Sequence, residues 1–293
     1  MRTVLQFIFR NKLHLATLAA LGAATWAIYF GVPIIWQCLL TVFLLTLSIY
    51  QYNQLTDVAE DLHNQPENLR AAQRQSFFIT YCLFYAATLV SLVLAAQFGW
   101  QTFLITFLLA AIGFLYNQKC FPEALSQAVG GAKRLKDLYI IKNLVPPIDW
   151  ATAMIVLPLA FANQPISLRA WVCWVYLFTC AFFIEVMWDI RDRHGDMLSG
   201  IKTIANTLSL CSTKVFLVVS SSLSGLGLFL ATYFGVLPQV SYFLLSNNVA
   251  VMVIASSYRD DAPNAARWLS DMTILLAMLL FASFGTIALL TRA

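Results

Sequence analysis

The chain has 293 residues, of which 60% are hydrophobic and 11% charged, and its mean hydropathy is +0.74. No water-soluble domain of this size carries so much apolar surface, so the composition excludes a soluble globular fold and leaves an all-α polytopic membrane bundle. The formal net charge of +4 follows from the lysine and arginine bias of the loops, and calls for no nucleic-acid partner.

A hydrocarbon core about 30 Å thick takes roughly 20 apolar residues per helix. That ruler predicts nine transmembrane helices, near 13–32, 34–54, 76–98, 100–117, 141–162, 166–187, 214–235, 237–257 and 271–291. The start, Arg2 to Lys12 before an apolar run, has the look of a signal peptide. The run reaches the length of a span and leads straight into the next, so it is assigned as the first helix. Tight connections are expected at Gly31–Pro33 and Phe98–Gly99. The longer polar stretches, 55–75, 117–143, 189–212 and 257–270, all follow even-numbered spans. With the N-terminus cytoplasmic, all of the 18 lysines and arginines except Arg169 and Arg292 fall on the cytoplasmic side. The positive-inside rule then puts the C-terminus on the opposite side and the chemistry at the cytoplasmic face. The six cysteines are scattered without a C-x-x-C pair, which supports neither a disulfide framework nor a zinc site.

The second span delivers N-Q-x-x-D-x-x-x-D (Asn53, Gln54, Asp57, Asp61), and the sixth delivers W-D-x-x-D-x-x-x-D (Trp188, Asp189, Asp192, Asp196). The two sets are separated by 135 positions throughout, Asp57 from Asp192 and Asp61 from Asp196 alike. This offset predicts two related four-helix halves plus a ninth helix, an arrangement that places shared sites at the repeat interface. On a helix, Asn53, Asp57 and Asp61 form one stripe, as do Asp189, Asp192 and Asp196, with Glu185 a turn deeper. Acids beside hydrocarbon are costly and mark a site with a cationic partner. Their hard oxygens, without a His/Cys cluster, favour magnesium. Acids at helix ends also face water in many membrane proteins, but two sets in register at corresponding ends argue for function.

After the fourth span, Ala132–Asn143 reads AKRLKDLYIIKN. Arg134, Tyr139 and Lys142 bring a guanidinium, a phenol and an ammonium, a set that suits a diphosphate; Lys136 sits among them. An ordinary positive-inside loop explains the basic residues alone. Acidic and basic clusters on one face together point to a magnesium–diphosphate site.

With these motifs in place, the chain resembles the UbiA family of intramembrane prenyltransferases. The family's first motif, N-D-x-x-D-x-x-x-D, is met with Gln54 in the second place, as in its homogentisate branch. Gly195, Asp196, Gly200 and Thr203 match G-D-x-x-x-G-x-x-T, and Arg134-Leu135-Lys136 through Lys142-Asn143 matches an R-L-K…K-N segment. The R-P-x-P-S-G segment that follows the first motif in many members is replaced by Asn64–Arg70, which weakens assignment to the quinone, chlorophyll or haem branches.

The resemblance implies a single integral-membrane prenyltransferase-like domain over 1–293. It implies one Mg2+ on Asn53, Asp57 and Asp61, and a second on Asp189, Asp192 and Asp196. Arg134, Tyr139 and Lys142 would hold the substrate diphosphate, and the catalytic burden would fall on Asp57, Asp61, Asp192, Asp196 and Lys142. Partners would be a prenyl diphosphate, a hydrophobic acceptor (aromatic or other) and the lipid bilayer. Tyr52, Tyr116, Phe183 and Trp188 are candidate shields for an allylic cation, and Glu185 is a candidate proton acceptor. A cyclase working without acceptor, a cation transporter and a non-catalytic binder are the alternatives.

Overall fold

A computed structural model describes Ile8 and residues 11–57, 77–261 and 265–290, with the side chains of 77–79 and 266 left aside. The expected ligand Asp61 and most of the loop after the first motif lie outside the described residues.

No strand occurs among the described residues, which fold into eleven helices. These are α1 Leu13–Phe30, α2 Trp36–Thr56, α3 Phe77–Ala96, α4 Trp100–Asn117, α5 Glu123–Ala128, α6 Ile141–Phe161, α7 Leu168–Leu198, α8 Ile204–Thr207, α9 Leu210–Tyr233, α10 Gln239–Ser257 and α11 Ala265–Leu290. Among the described residues, seven (α1, α4, α6, α7, α9, α10 and the Arg267–Leu290 part of α11) are long and apolar enough to cross a membrane, and α3 holds a shorter apolar stretch, Thr80–Ala96. Large apolar side chains such as Leu89, Trp100, Leu223 and Phe234 are more than 60% exposed. Water would not support such a surface, whereas lipid tails do. The protein is an integral membrane protein.

Sequence neighbours pack as antiparallel pairs, α1 on α2, α2 on α3 and α9 on α10, and α11 closes back on α1. One core gathers Trp26, Tyr29, Met154, Leu157 and Phe284; a second, nearer the acidic end of α7, gathers Phe183, Met187, Leu217, Val251 and Leu269. Gly22 permits the closest approach between α1 and α6: a Cβ there would lie 2.5 Å from the sulfur of Met154.

Local chemistry explains where the site-bearing helices begin and end. Ser167 caps the start of α7 by accepting a hydrogen bond from the Ala170 N–H at 3.2 Å. The helix then runs through the second acidic motif, well past the apolar stretch. It stops at Gly200, whose φ of 74° suits a residue without a Cβ. The Gly200 N–H reaches the Met197 carbonyl and the Ile201 N–H reaches the Asp196 carbonyl, which is a Schellman closure. Thr203 then caps α8 in a reciprocal box with Asn206. The glycine and threonine that accompany the second motif are thus a helix stop followed by a helix start.

Helix α6 is irregular. Pro146 and Pro147 lie inside it and supply no N–H to the carbonyls of Lys142 and Asn143. The phenol of Tyr116 donates instead to the Lys142 carbonyl at 3.0 Å. Five residues further on, Thr152–Val156 form a π-helical turn, a feature concentrated at functional sites.

Candidate active site

Helix α2 ends at Thr56, with Asp57 as its C-cap and its N–H on the Asn53 carbonyl at 3.0 Å. Asp57 is buried, and its carboxylate faces two cations from the segment after α5: Arg134 at 3.4 Å and Lys136 in direct ion-pair contact. Arg134 is positioned from behind. Asp137 accepts from its Nε at 2.9 Å and its guanidinium at 2.7 Å, and also from the backbone N–H groups of Lys133 and Arg134 at 3.0 Å each. Partial burial alone would push the Asp137 carboxyl up, but these hydrogen bonds outweigh it and hold the group below the usual carboxylate range.

At the second cluster, Lys142 stands in the first turn of α6 and points at α7. Its ammonium lies 3.0 Å from Asp189 and 2.7 Å from Asp196, both of them buried. Seven residues separate these acids, nearly two full turns, so they share one helix face. Asn143 adds a hydrogen bond from its amide to Asp189 at 2.6 Å, while its own Oδ1 is buried without a hydrogen-bond partner. Asp192 is differently engaged. Its carboxylate takes both ends of the neighbouring Arg191 guanidinium, which also reaches Ser270 of α11 at 2.9 Å.

The two acidic ends therefore meet a single basic strip. Arg134 and Lys136 serve α2, while Lys142 and Asn143 serve α7. Asn53 sits one turn before Asp57, partly buried. Tyr139, expected to touch the diphosphate, is 41% exposed and makes no hydrogen bond to the acids among the described residues. Lys136 and Asn143 carry contacts that the sequence reading did not assign. Both belong to the R-L-K…K-N segment, which was the available signal. Nothing in the pattern marked Arg191 as the partner of Asp192.

Among the described residues, no three His, Cys, Asp or Glu side chains converge as a metal cage on their own. The donor set nevertheless fits magnesium. Every candidate ligand is a hard oxygen, no more than two carboxylates meet at one point among the described residues, and the orphaned Asn143 oxygen is a further neutral donor. Magnesium characteristically takes one or two carboxylates and completes its shell with water and phosphate oxygens.

An apolar cleft adjoins this layer. Trp150, Met154, Ile184, Trp188 and Phe281 form much of its wall; Glu185, Asn247 and Thr273 are its polar points. Of the four expected cation shields, Trp188 alone lines it, its indole N–H fixed to Thr273 at 3.0 Å. Tyr52 instead stacks on Phe84 and Phe114 and bonds Gln118, Tyr116 serves the α6 carbonyl, and Phe183 is buried in the second core.

Comparison with known proteins bears on the fold and the family. Relatives include the digeranylgeranylglyceryl phosphate synthases of Metallosphaera sedula, 25% identical over 236 residues (78% of this chain, 76% of that protein), and Sulfurisphaera tokodaii, 24% over 245 residues (81% and 80%). Among solved structures, a UbiA homologue from Archaeoglobus fulgidus bound to GPP and Mg2+ superposes with a TM-score of 0.71 at 15% identity, covering 97% of this chain and 99% of that one. A UbiA homologue from Aeropyrum pernix gives 0.71 at 14% identity, covering 94% and 98%. At such identities the structures establish the fold. The profile of the UbiA prenyltransferase family matches residues 13–279, and the chain belongs to that family.

Proposed function

We propose that this protein is a magnesium-dependent intramembrane prenyltransferase, moving an isoprenoid group from a prenyl diphosphate to an aromatic or other lipophilic acceptor. The observation that carries the reading is the convergence of both acidic helix ends on the strip from Arg134 to Asn143, at the edge of an apolar cleft. The diphosphate belongs in the charged layer and the prenyl tail in the cleft.

Asn53, Asp57 and Asp61 would hold one Mg2+, and Asp189, Asp192 and Asp196 a second. When bound, the ions neutralise the leaving diphosphate. Arg134, Lys136 and Lys142 would bind its oxygens and stabilise the charge that develops as the allylic C–O bond breaks. Tyr139 would stand at the outer edge of the same strip. Trp188, Trp150 and Phe281 would exclude water from the cleft, and the indole faces would stabilise positive charge beside them.

The relatives are named for a product with two geranylgeranyl groups on glyceryl phosphate, and a structural neighbour binds GPP with Mg2+. These names make geranylgeranyl diphosphate and geranylgeranylglyceryl phosphate sensible first probes, beside homogentisate as an aromatic acceptor. In the same reading the chain is one domain of nine spanning helices in two four-helix halves plus one. Its N-terminus is cytoplasmic, its C-terminus opposite, and its site lies at the cytoplasmic face.

The test uses the full chain in detergent with geranyl, farnesyl or geranylgeranyl diphosphate, with and without magnesium and with and without each acceptor. Magnesium-dependent prenylation of an acceptor is expected, lost in Asp57→Asn. Cyclic or hydrocarbon products formed without acceptor would make it a cyclase. No diphosphate turnover under any condition would refute the enzyme reading.

A further inference from the structure

One turn inside the acid-and-lysine layer lies a second set of polar groups that diphosphate binding leaves unused. Glu185 precedes Asp189 by one turn of α7 and lines the cleft between apolar neighbours, Ile184, Trp150 and Trp188 among them. It makes no hydrogen bond to any described residue; its interactions are electrostatic, with Asp189, Lys142, Arg191, Asp192 and Tyr50. From α2, the hydroxyl of Tyr50 accepts a hydrogen bond from the Trp150 indole at 3.3 Å and lies within electrostatic reach of Glu185 and Asp149. The Oδ1 of Asp149, on α6, is buried without a hydrogen-bond partner.

A carboxylate beside hydrocarbon is costly, and such residues in spanning helices face an interior pathway and do work there. The orphaned Oδ1 of Asp149 likewise calls for an explanation. Packing does not supply one for Glu185, because Lys142 already gives its ammonium to Asp189 and Asp196. Position does. With the diphosphate in the charged layer and the tail in the cleft, the allylic carbon lies at the junction of the two, and Glu185 is the carboxylate at that junction.

We propose that Glu185 takes the proton that the acceptor loses on prenylation. The assignment rests on the prenyl-transfer reading above. The allylic C–O bond breaks and its electron pair leaves with the diphosphate. An electron pair of the acceptor forms the new bond to the allylic carbon, and the acceptor's proton moves to a carboxylate oxygen of Glu185. Prenyl diphosphate and acceptor thereby become prenylated acceptor, diphosphate and protonated Glu185, which returns its proton to water before the next turnover.

The experiment follows labelled geranylgeranyl diphosphate in the full-length protein with magnesium and geranylgeranylglyceryl phosphate or homogentisate as probe acceptor. The readout is the ratio of prenyl transferred to acceptor over prenyl captured by water as the alcohol. General-base groups contribute typically 10²–10⁴-fold, so in Glu185→Gln this ratio falls about a hundredfold or more, and Glu185→Asp recovers part of it. The ratio belongs to the folded fraction, so incomplete folding does not move it. An unchanged ratio in Glu185→Gln overturns the proposal, as does a parallel fall of transfer and water capture in both variants. A parent protein that releases no diphosphate overturns this proposal and the prenyl-transfer reading together; a parent that transfers with an unchanged ratio in the variant overturns only this one.

Discussion

Replacing Lys142 with methionine keeps most of the stem and removes an ammonium held at 3.0 Å from Asp189 and 2.7 Å from Asp196. The size of the effect depends on burial. Exposed ion pairs contribute about 0–1 kcal/mol, whereas stripping one partner from a buried pair costs about 3–5 kcal/mol, because a charge is left without compensation. Here the side chains of Lys142, Asp189 and Asp196 are 16%, 6% and 4% exposed, so the buried limit applies. Two buried carboxylates on one face of α7 lose the ammonium they share, while Asp189 keeps the Asn143 amide. Lys142→Met should therefore destabilise the fold by about 3–5 kcal/mol. Asp196→Asn removes one of the two charges that face the lysine, so the same lysine change should cost about 1–2 kcal/mol less in that background, within the usual range for residues in contact. Reversible unfolding of the parent, both single variants and the double variant in mixed micelles, followed by tryptophan fluorescence, measures both quantities. A loss below about 1 kcal/mol, or a coupling under about 0.5 kcal/mol, would refute the buried-pair reasoning.

Three further outcomes follow from the geometry. Tyr116→Phe deprives the Lys142 carbonyl of its donor and should cost about 1 kcal/mol; with Pro146→Ala supplying an N–H, the same change should be nearly neutral, and equal costs in both backgrounds would contradict the carbonyl-rescue account. Asp137→Asn should destabilise the protein by about 1 kcal/mol at neutral pH, a figure reduced for the partial exposure of the group. The folded carboxyl is depressed, so its contribution is present above the ordinary carboxylate range and lost as pH falls through the lower folded value; parent and variant should converge in acid, and a gap that widens there would reverse the argument. Ala277→Trp places a bulky ring into the cleft wall and should reduce turnover of geranylgeranyl diphosphate by roughly tenfold or more while sparing geranyl diphosphate, about the cost of one poorly fitting group; equal losses for both donors would separate the cleft from the tail.

Much of the architecture was legible because hydrocarbon imposes one length on every crossing. Each expected span overlaps a helix among the described residues, and Asp57, Asp189, Asp192 and Asp196 stand at or near helix ends. The basic strip was read less well, for a definite reason. Arg134, Tyr139 and Lys142 would share one face only on a continuous helix, whereas Leu135–Asp137 is a short 3-10 turn and Ile140 has a φ of 72°. That break sends Arg134 to Asp57 and Lys142 to α7, and leaves Tyr139 outside. Lys136 joins Arg134 on Asp57 because two long stems can converge from different sides of a tight turn. Asp192 was assigned with its neighbours by helical spacing alone, which cannot tell that the adjacent Arg191 occupies its carboxylate. The roles of Tyr52, Tyr116 and Phe183 depended on which ring faces the cleft, and composition holds no information about that.

The length of α7 has a consequence of its own. Its 31 residues rise about 46 Å, some 16 Å more than the hydrocarbon core they cross. Counted from Leu168, Asp189 lies about 32 Å along the axis and Asp196 about 42 Å. The helix thus works as a depth gauge. With Leu168 at one edge of the hydrocarbon and the axis along the membrane normal, the first acid would stand just clear of the acyl chains and the last among the headgroups, with Glu185 about 4 Å inside the oil. In the proposed prenyl transfer, ions and anions arriving from water need not enter the bilayer, nor must a lipid-borne chain leave it. The two phases are brought into register by a single rigid rod, so the chemistry is tied to membrane thickness.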